Sequence, residues 1–115
     1  ADKNICVICQ IESVEACKNV KEIASTEGVD LLFIGPGDLS ADMGFIKNRS
    51  ATEVKDMATQ VLKETKKCNK PCGIMVSNIT EAKQMLEAGF SVVAVTTDLV
   101  LLRNAVDEIG QLAKK

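Results

Sequence analysis

The sequence predicts an α/β fold in which four strand–helix units build one parallel sheet. Short, continuous apolar runs alternate with longer segments whose apolar residues recur at helical spacing. Strands that read as unbroken apolar runs are typical of a parallel sheet covered by helices on its faces. Four such units can belong to a (β/α)8 TIM-type barrel of roughly 250 residues, or form a small open doubly wound sheet. The pattern alone leaves both architectures open.

The strands are predicted from runs of four or more mostly apolar residues. They cover residues 5–11, 30–34, 73–76 and 92–95. The segment Gly35-Pro36-Gly37 ends the second run and is typical of a turn. Pro71 separates the third strand from the helix before it, because proline cannot continue a helix.

The helices are predicted from apolar residues three and four positions apart. They cover residues 14–26, a segment opening at residue 50, a segment after residue 78, and residues 99–113. Ser50 and Glu53 match a capping box, Asn78 and Glu81 match another N-terminal cap, and Gly28 and Gly89 are expected stops. The residues of the last helix that we expect to face inward are Leu102, Ala105, Val106, Ile109 and Leu112.

Composition predicts one globular domain over residues 1–115 and excludes several classes of function. The 115 residues include 14 basic and 16 acidic side chains, a net charge of -2, three Phe, and no Tyr or Trp. Nucleic-acid binding usually requires a basic excess with stacking aromatics, so we expect no nucleic-acid partner. The apolar runs are too short to span a bilayer, and no secretion signal opens the chain.

The five cysteines predict reduced thiols in a reducing compartment, and therefore a cytoplasmic protein. Cys6 and Cys9 form a C-x-x-C, and Cys68 and Cys72 a C-x-x-x-C, which together raise the alternative of a zinc site. Positions three apart on a strand point to opposite faces, and the chain has no His. Buried structural thiols are the better interpretation. The chain opens on Ala1 and enters a strand after four polar or small residues, so we expect it to begin mid-protein.

Two carboxylates follow successive predicted strands. Glu12 comes directly after the first strand, and Asp38 follows the second within Gly35-Pro36-Gly37-Asp38. The carboxyl ends of parallel strands meet at one edge, where such folds bind ligands. Oxygen ligands suit a hard divalent cation such as Mg²⁺ or Mn²⁺. Each residue also has a structural interpretation: Glu12 as an acid in a first helical turn, and Asp38 as an N-cap. Backbone N–H groups around Gly37 and Asp38 could also bind an anion.

Longer stretches of the chain resemble the HpcH/HpaI aldolases. Residues 9–13 (CQIES) and 28–44 (GVDLLFIGPGDLSADMG) are similar to two signature stretches of that family, and residues 70–75 and 86–95 also fit it. The similarity covers nearly the whole chain. It implies a (β/α)8 barrel, of which this chain covers about four C-terminal βα units.

The resemblance also implies a chemistry. Glu12 and Asp38 would ligate Mg²⁺ or Mn²⁺, and the amides of Gly37 and Asp38 would hold the carboxylate of pyruvate. The family's reaction is a carbon–carbon cleavage or condensation of 4-hydroxy-2-oxo acids, with pyruvate and an aldehyde as small-molecule partners, through a metal-stabilised pyruvate enolate.

The chain also departs from the family pattern. Gly37 stands where many relatives have Ala, and Thr96 where Gly is usual. The family's catalytic His and its pyruvate-contacting Arg lie in the first four βα units, and neither Arg49 nor Arg103 matches that Arg. We therefore expect the metal-binding part of the site here and the proton-transfer part in the N-terminal units.

Three alternatives stay open beside the aldolase. A pyruvate kinase type would have Lys two residues before the Glu, where this chain has Gln10. A CoA-ester lyase of the citrate lyase β-subunit type shares the metal chemistry. A truncated, non-catalytic half-barrel is the third. Because a half-barrel leaves two sheet edges unpaired, we also expect a homo-oligomer.

Overall fold

The computed structural model describes residues 2–114, which form one parallel sheet of four strands. The strands are β1 (Ile8–Ile11), β2 (Leu31–Ile34), β3 (Cys72–Val76) and β4 (Val92–Val95). Each strand pairs in parallel with the next strand of the chain, so the order across the sheet is β1-β2-β3-β4. The predicted α/β fold with a parallel sheet is confirmed.

The strand register aligns the ends of β1 and β2. Ile11 pairs with Ile34, and the amide of Gly35 donates a hydrogen bond to the carbonyl of Ile11 at 3.1 Å. Glu12 and Gly35, the residues that follow the two strands, therefore leave the sheet side by side.

Six α-helices lie among residues 2–114, after a short 3-10 turn at Asp2–Asn4. They are α1 (Val14–Lys18), α2 (Val20–Ser25), α3 (Pro36–Asp42), α4 (Thr52–Lys67), α5 (Ile79–Ala88) and α6 (Asp98–Ala113). The prediction of a single helix over residues 14–26 is wrong. Asn19 has non-helical backbone angles (φ -96°, ψ 10°) and divides this segment into α1 and α2.

The turn predicted at Gly35-Pro36-Gly37 is instead the start of α3. Pro36 occupies the first helical position, where its missing N–H costs no hydrogen bond. Gly35 is the N-cap residue, so α3 begins directly where β2 ends. The predicted N-cap interpretation of Asp38 is wrong, since Asp38 lies within the first turn.

The two predicted capping boxes have different outcomes. Asn78 Oδ1 accepts a hydrogen bond from the amide of Glu81 at 2.9 Å, which confirms the cap of α5. Glu81 Oε2 accepts one from the amide of Ser77 at 2.8 Å. The capping box predicted at Ser50 and Glu53 is wrong. The N-cap residue of α4 is Ala51, one residue later, and its side chain has no hydrogen-bond acceptor.

The core lies between the sheet and helices α1 to α5. Its most buried large side chains are Ile11, Leu32, Ile34, Leu39, Val20, Val54 and Val61. Thr65 is also fully buried, and its hydroxyl donates to the carbonyl of Val61 at 2.8 Å, so burying it leaves no unpaired donor. Within residues 2–114, no helix is both long and apolar enough to cross a membrane.

Helix α6 has the predicted bounds to within one residue but not the predicted packing. None of its residues is buried, and Leu102, Val106 and Ile109 are each more than half exposed. The expectation that these side chains face this chain's own core is therefore wrong. The helix forms with Thr97 as its cap, since Thr97 Oγ1 accepts from the amide of Val100 at 3.3 Å.

Candidate metal centre

Glu12 is the first residue after β1, and its carboxylate is held by a neighbour on the same strand. Gln10 Nε2 donates a hydrogen bond to Glu12 Oε2 at 2.7 Å. Residues two apart on a strand project to the same face of the sheet, so Gln10 reaches Glu12 without any change in the backbone. Glu12 itself is half-buried. This contact was not predicted from the sequence, although the alternation of residues along β1 is a signal that indicates it.

The absence of a side chain at Gly35 lets the Glu12 carboxylate lie against the turn between β2 and α3. A Cβ built on Gly35 would lie 3.0 Å from Gln10 Nε2 and 3.3 Å from Glu12 Oε2. Both separations are shorter than ordinary van der Waals contact. Gly35 therefore brings the Glu12 carboxylate to the start of α3.

Asp38 and its neighbouring amides lie in the first turn of α3. The first backbone hydrogen bond of α3 is donated by the Leu39 amide to the Gly35 carbonyl at 3.0 Å. The amides of Gly37 and Asp38 precede this bond, so the helix itself gives them no acceptor. The side chain of Asp38 is exposed. The first turn of α3 therefore offers both a carboxylate and free N–H donors beside the turn that Glu12 contacts.

A further hydrogen bond joins the two segments that carry these residues. Asp42 Oδ2 accepts from the amide of Val14 at 2.7 Å, 28 residues away in the chain. Val14 is the first residue of α1, and Asp42 is the last residue of α3.

The donor set fits a hard divalent cation. Carboxylate oxygens are ligands that Mg²⁺ accepts, and Mg²⁺ sites commonly use one or two carboxylates with waters or substrate oxygens completing the octahedron. Among residues 2–114, no group of three or more His, Cys, Asp or Glu is placed to hold a metal. Within this part of the protein, Glu12 and Asp38 are thus the candidate ligands.

A family model described as HpcH/HpaI aldolase/citrate lyase matches residues 1–105. The chain belongs to this family. A solved member from Burkholderia cenocepacia, described as an HpcH/HpaI aldolase/citrate lyase family protein, superposes with a TM-score of 0.89 at 32% identity. That match covers 98% of this chain and 44% of the other, and it confirms the TIM-barrel-type fold class.

Curated relatives within the HpcH/HpaI family bear aldolase names. The 5-keto-4-deoxy-D-glucarate aldolase of Citrobacter koseri is 40% identical over 115 residues, which are all of this chain and 45% of that protein. The 4-hydroxy-2-oxo-heptane-1,7-dioate aldolase of Shigella sonnei is 42% identical over 110 residues, 96% of this chain and 42% of that protein. The chain therefore spans less than half the length of these relatives.

Two of the departures from the HpcH/HpaI pattern can be located in the structure. Thr96, directly after β4, has a φ of +60°, in the left-handed region that favours glycine and strains a β-branched residue. Arg49 pairs with Glu81 at 3.9 Å, and Arg103 pairs with Asp107 at 3.8 Å on the exposed helix α6. Both arginines thus lie beside carboxylates other than Glu12 and Asp38, in long and solvent-exposed contacts.

A groove of about 550 Å³, which the sequence analysis did not anticipate, lies between α4 and α5. Leu62, Met85 and Ile74 are among its lining residues. Ile74 pairs in register with Ile34, and Ile34 with Ile11, so these three share the face of the sheet that Glu12 does not. The groove therefore opens mainly on the face away from Glu12, and it reaches the candidate site only at Pro36, in the first turn of α3.

The cysteines are free thiols, as predicted, and two of them are buried. Burial raises the pKa of the Cys72 thiol to about 11, against smaller lowering effects of its side-chain hydrogen bonding with Thr65 and of the charge of Lys66. Burial, and to a lesser extent the charge of Asp42, raises the pKa of Cys17. Cys6 is exposed, and Cys9 and Cys68 are half-buried. Buried thiols with raised pKa values are protonated, which disfavours metal binding by Cys17 and Cys72. The prediction of buried structural thiols is confirmed for Cys72 and is wrong for the exposed Cys6.

Proposed function

We propose that this chain carries the metal- and pyruvate-binding part of a metal-dependent aldolase that cleaves or forms 4-hydroxy-2-oxo acids. The observation that carries this proposal is the Glu12 carboxylate lying against Gly35, the N-cap of the helix whose first turn contains Asp38. The aldolase names of the relatives that are 40% and 42% identical favour this reaction over CoA-ester cleavage.

In this proposal Glu12 and Asp38 hold a divalent cation, Mg²⁺ or Mn²⁺. Gln10 occupies one oxygen of Glu12 and fixes the orientation of the carboxylate. When bound, the cation supplies positive charge beside the keto oxygen, where negative charge develops as the carbon–carbon bond breaks.

The amides of Gly37 and Asp38 hold the carboxylate of pyruvate. They precede the hydrogen-bond ladder of α3, and N–H groups in this position attract anions. Because Gly37 contributes only backbone, an Ala at this position would be compatible with the same role. Nothing lies within 4 Å of a Cβ built on Gly37, which supports this compatibility.

We assign no proton transfer to the residues of this chain. The sequence contains no His, and Arg49 and Arg103 form ion pairs with Glu81 and Asp107. General acid–base catalysis typically contributes 10²- to 10⁴-fold, so the 115-residue chain should enolise pyruvate slowly at best.

We also propose that the protein is a cytoplasmic homo-oligomer. The exposed apolar side chains of α6, among them Leu102, Val106 and Ile109, support self-association because such surface is costly to leave in water. β1 and β4 are the edges of the four-stranded sheet and provide further unpaired backbone groups. The five free thiols support a reducing compartment.

Deuterium exchange into the methyl group of pyruvate tests the catalytic proposal directly. We expect slow exchange that requires added Mn²⁺ and exceeds the rate with Mn²⁺ alone. The same exchange should be lost in Glu12→Gln. A rate equal to that of free Mn²⁺, or a rate unchanged by the substitution, would contradict the proposal.

A further inference from the structure

The turn that carries Glu12 is fixed at both ends by bonds to the segment that carries Asp38. On one side, the Gly35 amide donates to the carbonyl of Ile11 at 3.1 Å. On the other side, the Val14 amide donates to Asp42 Oδ2 at 2.7 Å. Residues 11–14 and 35–42 therefore form a closed ring, with Glu12 in one arc and Asp38 in the other.

The Asp42 bond is not needed to give α1 an N-cap. Ser13 is already the N-cap residue, and its hydroxyl accepts from the amide of Ala16 at 3.1 Å. Asp42 instead reaches from the last residue of another helix to a second free amide of α1. A carboxylate that accepts from a backbone N–H at a helix N-terminus forms a charge-assisted bond, which is stronger than a neutral one.

We propose that Asp42 is a positioning residue that sets the separation of the Glu12 and Asp38 carboxylates for a divalent cation. This inference rests on the proposed metal role of those two residues. Asp42 lies four residues after Asp38 on α3, and its partner Val14 lies two residues after Glu12. Without the bond, the hydrogen bond from Gly35 to Ile11 would be left to join residues 11–14 to residues 35–42 among the bonds of the described residues.

The chemistry of the cation makes such positioning effective. Mg²⁺ requires near-ideal octahedral geometry with metal–oxygen distances of about 2.0 to 2.1 Å, so ligands on two separate segments must keep a fixed spacing. Loss of an outer residue that orients a metal ligand typically costs 10- to 100-fold in metal affinity. A bond between the two segments acts in this way without touching the metal.

The experiment compares Asp42→Ala with Asn78→Ala by Mn²⁺ binding and thermal unfolding. Asn78 caps α5 through the amide of Glu81 and makes no contact with Glu12 or Asp38 among the bonds of the described residues. Loss of either carboxylate or amide acceptor at a helix N-terminus should lower stability by about 0.5 to 2 kcal/mol. The two variants are thus matched in stability and differ in position.

We expect Asp42→Ala to weaken Mn²⁺ binding about 10-fold or more, and Asn78→Ala to leave it within about two-fold. Hydrogen exchange of the Val14 amide should accelerate only in Asp42→Ala. Asp42→Asn retains an acceptor oxygen and should fall between the wild type and Asp42→Ala. Equal Mn²⁺ affinity in Asp42→Ala and Asn78→Ala would overturn the inference.

The outcome also separates this inference from the proposed function. Mn²⁺ binding that needs Glu12 but not Asp42 would overturn the positioning role alone. A wild-type chain that does not bind Mn²⁺, or binds it equally well as Glu12→Gln, would overturn both.

Discussion

Gln10 Nε2 donates a 2.7 Å hydrogen bond to Oε2 of Glu12, so one oxygen of the candidate ligand is already engaged by the protein. The bond orients the carboxylate and leaves Oε1 for another partner. A Cβ at Gly35 would meet both members of this pair.

Replacing either candidate ligand should remove divalent-cation binding and leave the fold intact. In Glu12→Gln or Asp38→Asn, a neutral amide stands where a charged oxygen ligand was. We expect the Mn²⁺ affinity to fall by more than the 10- to 100-fold that loss of an outer partner costs. Mn²⁺ titration followed by electron paramagnetic resonance measures this, and circular dichroism checks the fold.

Glu15→Gln is the control for these substitutions, because Glu15 lies on the exposed side of α1 and carries the same charge. Its Mn²⁺ affinity should match that of the wild type. Unchanged affinity in both Glu12→Gln and Asp38→Asn would refute the metal site.

Adding one methyl group at Gly35 should disturb the site, while the same change at Gly37 should not. In Gly35→Ala the new Cβ would crowd Gln10 Nε2 and Glu12 Oε2, and the carboxylate would have to move. We expect about a 10-fold loss of Mn²⁺ affinity, comparable to the loss of an orienting partner. Gly37→Ala is the matched control, because nothing lies within 4 Å of its Cβ. Equal affinities in the two variants would show that the Glu12 carboxylate does not depend on this contact.

Pyruvate and oxalate should bind only in the presence of metal. The amides of Gly37 and Asp38 and the cation act on one ligand, and two exposed amides alone compete poorly with water. Calorimetry with and without Mn²⁺ measures the difference. Acetate is the control anion, because it has a carboxylate but no adjacent keto or carboxylate oxygen to complete a chelate. Equal heats of binding without metal would exclude the chelate model.

The 115-residue chain should self-associate through apolar surface that includes α6. Leu102, Val106 and Ile109 are 64%, 57% and 67% exposed, at spacings that place them along one side of the helix. Light scattering should report dimers or larger species, and Leu102→Glu combined with Ile109→Glu should shift them toward monomer. Asn104→Glu adds charge elsewhere on the same helix and should have little effect. A wild-type chain that stays monomeric at high concentration would contradict this prediction.

Stability should fall as the pH rises from about 9 to about 11. Folding raises the pKa of the Cys72 thiol from 9.0 to about 11. Between these pH values the thiol of the unfolded chain loses its proton first, so the folded state binds more protons. The contribution is fully present below pH 9 and is lost as the pH approaches 11. The difference between the two pKa values corresponds to a loss of about 2 to 3 kcal/mol in the free energy of unfolding.

Urea unfolding across this pH range measures the effect of Cys72. Cys72→Ala lowers stability at every pH because it leaves a cavity, but its stability should depend less on pH between 9 and 11. If the wild type and Cys72→Ala lose the same free energy of unfolding over this range, the buried thiol is not the cause.

Several structural features could be predicted because they depend on neighbouring residues. The apolar run at Val92–Val95 is observed as β4 with the predicted bounds, because a short apolar run bounded by other residue types is a local signal. The sequence did not indicate that β4 is an edge strand with Val92 and Val95 exposed. Asn78 caps α5 and Gly89 ends it with a φ of +99°, because capping involves groups three or four residues apart.

Other features depended on contacts that a linear pattern does not contain. Ser50 has the right side chain for a cap, but the chain enters α4 at Ala51 instead. Leu102 and Val106 have the spacing of a buried helix face, but both are exposed. Spacing predicts which residues share a face of a helix and does not predict what packs against that face. Pro36 is compatible both with a turn and with the first position of a helix. In the structure α3 begins directly after β2, so Pro36 takes the helical position.

The sequence by itself determined the four strand–helix units, the parallel sheet and the choice of Glu12 and Asp38 as candidate ligands. These follow from periodicity, capping residues and the rule that parallel strands present their carboxyl ends at one edge. Only the tertiary structure decided that Gln10 orients Glu12 over Gly35 and that Asp42 binds the amide of Val14. The bond from Asp42 joins residues 28 positions apart, and it depends on how α3 folds back from the end of β2 toward α1, which local sequence spacing does not state.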